Sequence, residues 1–292
     1  LKACLASLDA QSVAPERVCV CVDGSTDGTL EYLRDSDDAS ALEIVALTHP
    51  GNAHRGRPAT RNLALGRLDT DYVWFVDSDM VLSPDALEQH LALTSDRACT
   101  SQGQVVYANA QENPWAGYLD TRAYHRRPDR AVSPFTWFSA ANALVRVEHV
   151  RAIGGFDDRF AAYGGEDFDF AYRLERLTGE PILNNRRAVA QTTEEKSIDA
   201  ALAQFEEYGS ENLHLLESLH PDLPRTFELQ RLESDALADR LFVWAKHPAF
   251  ERVADMLIRF SPTRLRNQVL NYKVIAAVWR GYRSVSKKGG AA

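Results

Sequence analysis

Tyr72-Val73-Trp74-Phe75-Val76-Asp77-Ser78-Asp79 passes from an almost wholly apolar run straight into two carboxylates separated by one residue. The run has the length and content of a buried strand, of the kind found in sheets covered on both faces. Carboxylates at i and i+2 repel each other unless a cation sits between or beside them. Toward the N-terminus the pattern recurs: residues 18–22 alternate Val and Cys and end at Asp23-Gly24-Ser25-Thr26-Asp27-Gly28-Thr29, where Asp27 is placed to cap a helix bearing Leu30 and Leu33. Residues 42–47 predict another strand. After a loop rich in Gly, His and Arg, Pro58 suits the first turn of a helix carrying Leu63, Leu65 and Leu68. Strands and helices alternating at this spacing predict an α/β fold around a largely parallel sheet. Ligands gather beyond the carboxyl ends of such strands, and Asp23 and Asp77 both fall there.

Toward the C-terminus, a helix bearing Leu87, Leu91 and Leu93 leads to a strand at 100–107, a loop-like stretch at 108–134 and strand character at 136–147. Gly164-Gly165-Glu166-Asp167 then opens a helix through Tyr172 and Leu174. A short strand at 182–191 ends the alternating region. The expected division is a catalytic domain at 1–195 and a helical extension at 196–292. Glu166 and Asp167 form a second acidic site behind two glycines that permit close backbone approach. Acids at a helix start also suit its dipole, whereas the surrounding Phe160, Tyr163, Phe168 and Phe170 suit a shaped pocket in which a carboxylate acts as general base.

Composition sets the limits. At 292 residues, 45% hydrophobic and 25% charged, the chain is ordinary globular material, which excludes disorder, collagen-like repeats and a disulfide scaffold. No run approaches the ~18 apolar residues of a spanning helix. Cys4, Cys19, Cys21 and Cys99 lack C-x-x-C spacing and read as reduced core thiols of a reducing compartment. Charge divides the chain: residues 241–292 hold ten basic side chains against two acidic ones, a net of +8, and the first 240 residues carry −16. Apolar stripes among those arginines suit an anionic membrane surface through residues 250–288, or helices packed on the main domain with a basic outer face. No nucleic-acid motif accompanies them, so nucleic acid is not expected as a partner.

Four motifs in order, Asp23-Gly24-Ser25-Thr26-Asp27-Gly28-Thr29, Ala59-Thr60-Arg61-Asn62, the apolar strand into Asp77-Ser78-Asp79, and Gly164-Gly165-Glu166-Asp167, resemble inverting glycosyltransferases of family 2, whose nucleotide-sugar-binding fold is called GT-A. The likeness covers roughly residues 1–195. The Gly-Gly-Glu-Asp form, with Phe156-Asp157 upstream, is most similar to galactosyl- and N-acetylgalactosaminyl-transferring members, including chondroitin polymerase-type domains. The resemblance implies a mixed sheet flanked by helices, a UDP-sugar donor, and a glycan or lipid-linked glycan acceptor of a bacterial-type surface polysaccharide. It also implies Mn2+ or Mg2+ on Asp79, with Asp77 and Gln191 as further candidates. Asp23, Asp77 and Asp79 would contact the donor, Arg61 would lie beside the nucleotide or serve equally well in a helix-surface salt bridge, Glu166 would contact the donor or acceptor sugar, and Asp167 would take the acceptor proton.

The departures from the family pattern carry their own expectations. Leu1, Cys4, Leu5 and Leu8 recur at helical spacing, so the family's opening strand is expected to be missing from this chain. Gln191 stands in the stretch where many relatives have a metal-ligating His. Trp115, Trp137, Phe138, Tyr163 and Gly165 are the acceptor candidates, although core packing serves each aromatic ring equally well. The expected location is cytoplasmic, peripheral on the inner face of the plasma membrane. Two alternatives stand beside transfer: a sugar-phosphate nucleotidyltransferase, and a catalytically silent module binding glycan or a partner protein.

Overall fold

A computed structural model describes residues 1–36, 42–121, 128–223 and 248–289. Helix α1 (Lys2–Asp9) comes first, then strands β1 (Val18–Val22) and β2 (Ile44–Thr48), which pair in parallel from Val18 with Ile44 to Val22 with Thr48. Helix α2 (Thr29–Ser36) lies between them in sequence, in the crossover a parallel pair requires. Its start is set by Asp27, whose carboxylate accepts from the Thr29 amide at 3.1 Å and the Thr29 hydroxyl at 2.6 Å. Helix α3 (Arg57–Leu65) follows β2.

The larger sheet is mixed. Its order is β3 (Tyr72–Val76), β7 (Asn142–Arg146), β5 (Thr100–Tyr107), β8 (Ile182–Thr192) and β4 (Val81–Leu82), with β6 (Val132–Ser133) beside β8. Strands β5 and β8 pair in parallel, and the remaining pairs are antiparallel. The expectation of a largely parallel sheet is therefore corrected. Strand β7 runs against β5, Ser101 pairing with Leu144 and Gln102 with Ala143, and helix α5 (Pro114–Asp120) lies between the two in sequence. That helix also replaces part of the expected loop at 108–134. Asn113 caps it, accepting from the Trp115 amide at 2.8 Å and the Ala116 amide at 3.3 Å, with Pro114 as first helical residue.

Helices α4 (Ala86–Asp96), α6 (Val147–Ala152) and α7 (Glu166–Thr178) flank the sheet. Phe75 on β3 meets Phe156 and Phe170 edge-on, and Phe156 stacks on Phe170 with centroids 4.2 Å apart. A buried polar chain lies in the same unit. Trp74 Nε1 and His90 Nε2 each lie 2.9 Å from Asn142 Oδ1, and His90 Nδ1 lies 2.8 Å from Ser101 Oγ. An amide oxygen only accepts, so Nε2 carries a proton. Burial pushes His90 down to about 4. The four cysteines are free thiols, and burial pushes Cys4 up to about 11 and Cys21 to about 12, leaving them inert.

Two compact units divide the chain: Leu1–Ala161 with Glu166–Glu194, and Ala162–Gly165 with Glu195–Ala292. The second unit is helical among its described residues, with α8 (Ile198–Ser210), α9 (Asn212–Leu219), α10 (Pro248–Phe260) and α11 (Thr263–Gly289). Helix α11 packs along α8 and α10. Gly209 and Gly281 let α8 and α11 approach closely: a Cβ on Gly209 would overlap the Val278 carbonyl oxygen, and one on Gly281 the Glu206 carbonyl oxygen. Among the described residues, no helix is long and apolar enough to cross a membrane.

Candidate active site

The site is built on α3, which is fixed at both ends of its first turns. At the carboxyl end of β1, Asp23 accepts from the amides of Arg55 at 2.7 Å and Gly56 at 3.0 Å, and His54 Nδ1 lies 2.8 Å from its carboxylate. Burial alone would push the Asp23 carboxyl up, but these donors, with Thr60, outweigh it and hold the group below its ordinary value. Asn62 locks the opposite side: its amide donates to the Phe156 carbonyl at 2.7 Å and accepts from the Phe156 amide at 2.9 Å. Gly155 approaches so closely that a Cβ there would collide with Asn62 and Leu65, and its φ is +77°.

Arg61 is thereby aimed at the acidic motifs. Its guanidinium donates to Asp167 Oδ1 at 3.1 Å and to Asp77 Oδ1 at 3.2 Å, lies 3.7 Å from Glu166 Oε1, and sits 5.1 Å from the Phe156 ring centre. Residues from α3, the end of β3 and the start of α7 thus share one cluster. Arg57, one turn earlier, reaches Glu166 Oε1 at 2.8 Å. Glu166 is 3% exposed, and its second oxygen, Oε2, has no hydrogen-bond partner. Burial, then the charge of Asp167, pushes Glu166 up to about 7 against the pull of Arg57 and Arg61. Asp167 is 21% exposed and is held by the Ala140 amide at 3.2 Å. Burial and the Asp77 charge raise it, opposed by Arg61 and Arg57. An accessible carboxylate with raised basicity is the equipment of a general base.

Asp77 and Asp79 occupy one turn beyond β3, with Asp77 41% exposed and Asp79 exposed. Thr192, the last residue of β8, donates its hydroxyl to Asp79 Oδ2 at 3.0 Å. Gln191 does not fill this position. Side chains alternate across a strand, so its neighbour Thr192 meets Asp79 and Gln191 is exposed on the other face. Among the described residues, no three His, Cys, Asp or Glu gather into a metal cage. Two exposed carboxylates in one turn still fit a hard divalent cation, which takes few protein oxygens and fills its shell with phosphate and water.

The acceptor candidates are divided between the two units. Trp115 is buried and stacks on Tyr118 at 5.0 Å, and Phe138 is buried and stacks on Phe170 at 5.5 Å, so both serve packing. Trp137 is half-buried on the short turn Phe135–Trp137. Tyr163 and Gly165 fall in the second unit, where Tyr163 lies edge-on to Phe205 at 5.9 Å. Sequence reading missed Arg57, Thr192 and the Ala140 amide. The i, i+4 spacing of Arg57 and Arg61 on one helix face was the available signal for the first.

The sequence matches the family described as Glycosyl transferase family 2 over residues 1–154, and the N-terminal domain of galactosyltransferase over residues 130–193. A pre-mycofactocin glycosyltransferase of Mycobacterium tuberculosis is 32% identical over 161 residues, covering 51% of this chain and 33% of that protein. The chain therefore spans about a third of that relative's length. Among solved structures, S. aureus TarS 1-349 in complex with UDP aligns over 99% of this chain and 87% of its own, with a TM-score of 0.55 and 18% identity. A mannosyltransferase from Pyrobaculum calidifontis in complex with GDP-Man and Mn2+ aligns over 96% and 82%, with a TM-score of 0.63 and 18% identity.

Proposed function

Because the chain belongs to glycosyl transferase family 2 and carries the GT-A fold, we propose that it moves a sugar from a UDP-sugar to a hydroxyl of a glycan or lipid-linked glycan, with inversion at the anomeric carbon. Membership of this family favours sugar transfer over the nucleotidyltransferase alternative. The observation that carries the finer reading is Arg61, whose two arms tie Asp77 at the end of β3 to Asp167 at the start of α7.

In this reading Asp167 accepts the proton of the acceptor hydroxyl as its oxygen bonds to the anomeric carbon and the bond to the diphosphate breaks. The Ala140 amide and Arg61 fix the carboxylate for that transfer. Glu166, held by Arg57 and with its Oε2 buried and unpartnered, stands beside Asp167 as the proposed contact to a sugar. Asp23 pins the loop that starts α3 and so shapes the place where the uridine would lie. Mg2+ or Mn2+ would be held by Asp79 with Asp77 beside it, and when bound would supply positive charge for the departing diphosphate.

The test is sugar transfer and donor hydrolysis against a panel of UDP-, GDP- and dTDP-sugars with Mn2+, for the wild type and Asp167→Asn. A UDP preference and a loss of transfer in the variant are expected. A preference for GDP- or dTDP-linked donors would overturn the nucleotide assignment, and an undiminished rate in Asp167→Asn the assignment of the base.

A further inference from the structure

Helix α10 is amphipathic, yet only half of its apolar arc is covered. Ala254 and Ile258 are buried in the second unit, which fixes how the helix is turned. Val253, Met256 and Phe260, at i, i+3 and i+7, form a separate row and are 46%, 58% and 74% exposed. Leu265, just past the Ser261-Pro262 corner into α11, is also exposed. An isolated exposed hydrophobe needs no explanation, but three along one helix face with a fourth soon after in the next helix do.

Charge identifies the occupant. Arg252 and Arg259, at i and i+7, line one side of the row, and Arg264 follows the corner; all three are exposed. The Arg259 guanidinium lies 5.4 Å from the Phe260 ring centre. Between Glu251 and Arg266 the sequence holds four arginines and two acids, Glu251 and Asp255, the second of which is ion-paired with Lys273. We propose that the α10–α11 corner seats on an anionic lipid surface, with Met256, Phe260 and Leu265 entering the acyl boundary and the arginines meeting the headgroup phosphates. A second copy of the chain is a poorer occupant, because a two-fold contact through this patch would set arginines against arginines. With no helix long and apolar enough to cross a membrane among the described residues, the contact is one of lying on the surface.

The experiment is flotation of the whole chain with phosphatidylcholine vesicles, with and without phosphatidylglycerol, at low and high salt. Binding is expected only with the anionic lipid and is weakened by salt. Replacing Arg252, Arg259 and Arg264 by Gln lowers affinity about five-fold for each arginine. Met256→Ser combined with Phe260→Ser abolishes flotation. Both variants change exposed side chains and are expected to keep the wild-type melting temperature, which separates lost binding from lost fold. Absence of binding by the wild type, or undiminished binding by folded variants, would overturn the proposal. So would a lipid-free oligomer that the Met256→Ser and Phe260→Ser changes convert to monomer.

Discussion

Arg61 donates to Asp167 across 3.1 Å and with its other arm holds Asp77 at 3.2 Å, so one guanidinium sets the electrostatics of both acidic motifs. Without it, Asp77, Glu166 and Asp167 would face one another with only Arg57 in opposition. Arg61→Gln is expected to lower kcat/KM for donor turnover by on the order of 100-fold and to move the acidic limb of the pH–rate profile upward. Arg61→Lys keeps the charge but loses the two-armed reach, so its limb stays near the wild-type position while its rate falls. A limb unmoved in Arg61→Gln would show that the guanidinium does not control the carboxyls.

His90 and Glu166 give opposite pH dependences of stability. The folded-state pKa of His90 falls from 6.5 to about 4, so the unfolded chain binds the extra proton in that window and stability rises with pH across it. For Glu166 the folded-state pKa rises from 4.5 to about 7, so the folded chain binds the proton and stability falls as pH rises through that range. Each slope is about 1.4 kcal/mol per pH unit where fully expressed. The two nearly cancel in the wild type between their overlapping limits. Urea midpoints of the metal- and nucleotide-free protein should therefore separate the variants. Glu166→Gln loses stability on acidification, from the His90 contribution, and His90→Gln gains it, from the Glu166 contribution. Parallel slopes in the two variants would refute this assignment.

Much of this site is legible in the order of residues, because apolar runs that stop at acids mark strand ends. The runs 72–76 and 100–107 coincide with β3 and β5, and both acidic turns are visible as motifs. The missing parts depend on the phase of side chains and on burial. Choosing Thr192 over Gln191 requires knowing which face of β8 meets the turn after β3, a register that the strand's own composition does not encode. Trp115 and Phe138 look like sugar platforms until neighbours from other segments cover them. The Ala140 amide has no sequence signature at all. Helix α5 is readable, since Asn113-Pro114 is a cap followed by a favoured first residue.

Helices α8 and α11 cross where neither tolerates a side chain. Gly209→Ala and Gly281→Ala each place a methyl group against a backbone carbonyl oxygen, which cannot swing aside as a flexible side chain would. A loss of about 1–3 kcal/mol is expected from each. Thermal melts followed by proteolysis should place the earlier opening in residues 196–292, with the first unit still resistant. Wild-type stability in both variants would mean that the helices separate readily at this crossing.

Asp79 is held at one oxygen by the Thr192 hydroxyl, at 3.0 Å, which leaves the other oxygen of an exposed carboxylate to a cation. Thr192→Val keeps the side-chain shape and removes the donor, so Asp79 is freed to rotate without losing its charge. The Mn2+ concentration for half-maximal donor turnover should then rise several-fold, about the 10-fold that orienting partners of metal ligands commonly contribute, with little change in the maximal rate. Asp79→Asn removes the charge itself, so added Mn2+ should restore little activity. In both cases EDTA abolishes turnover and Mn2+ titration provides the measurement. If Thr192→Val required no more metal than the wild type, the hydroxyl would not be orienting a ligand. If Asp79→Asn retained wild-type metal dependence, the cation would be held elsewhere.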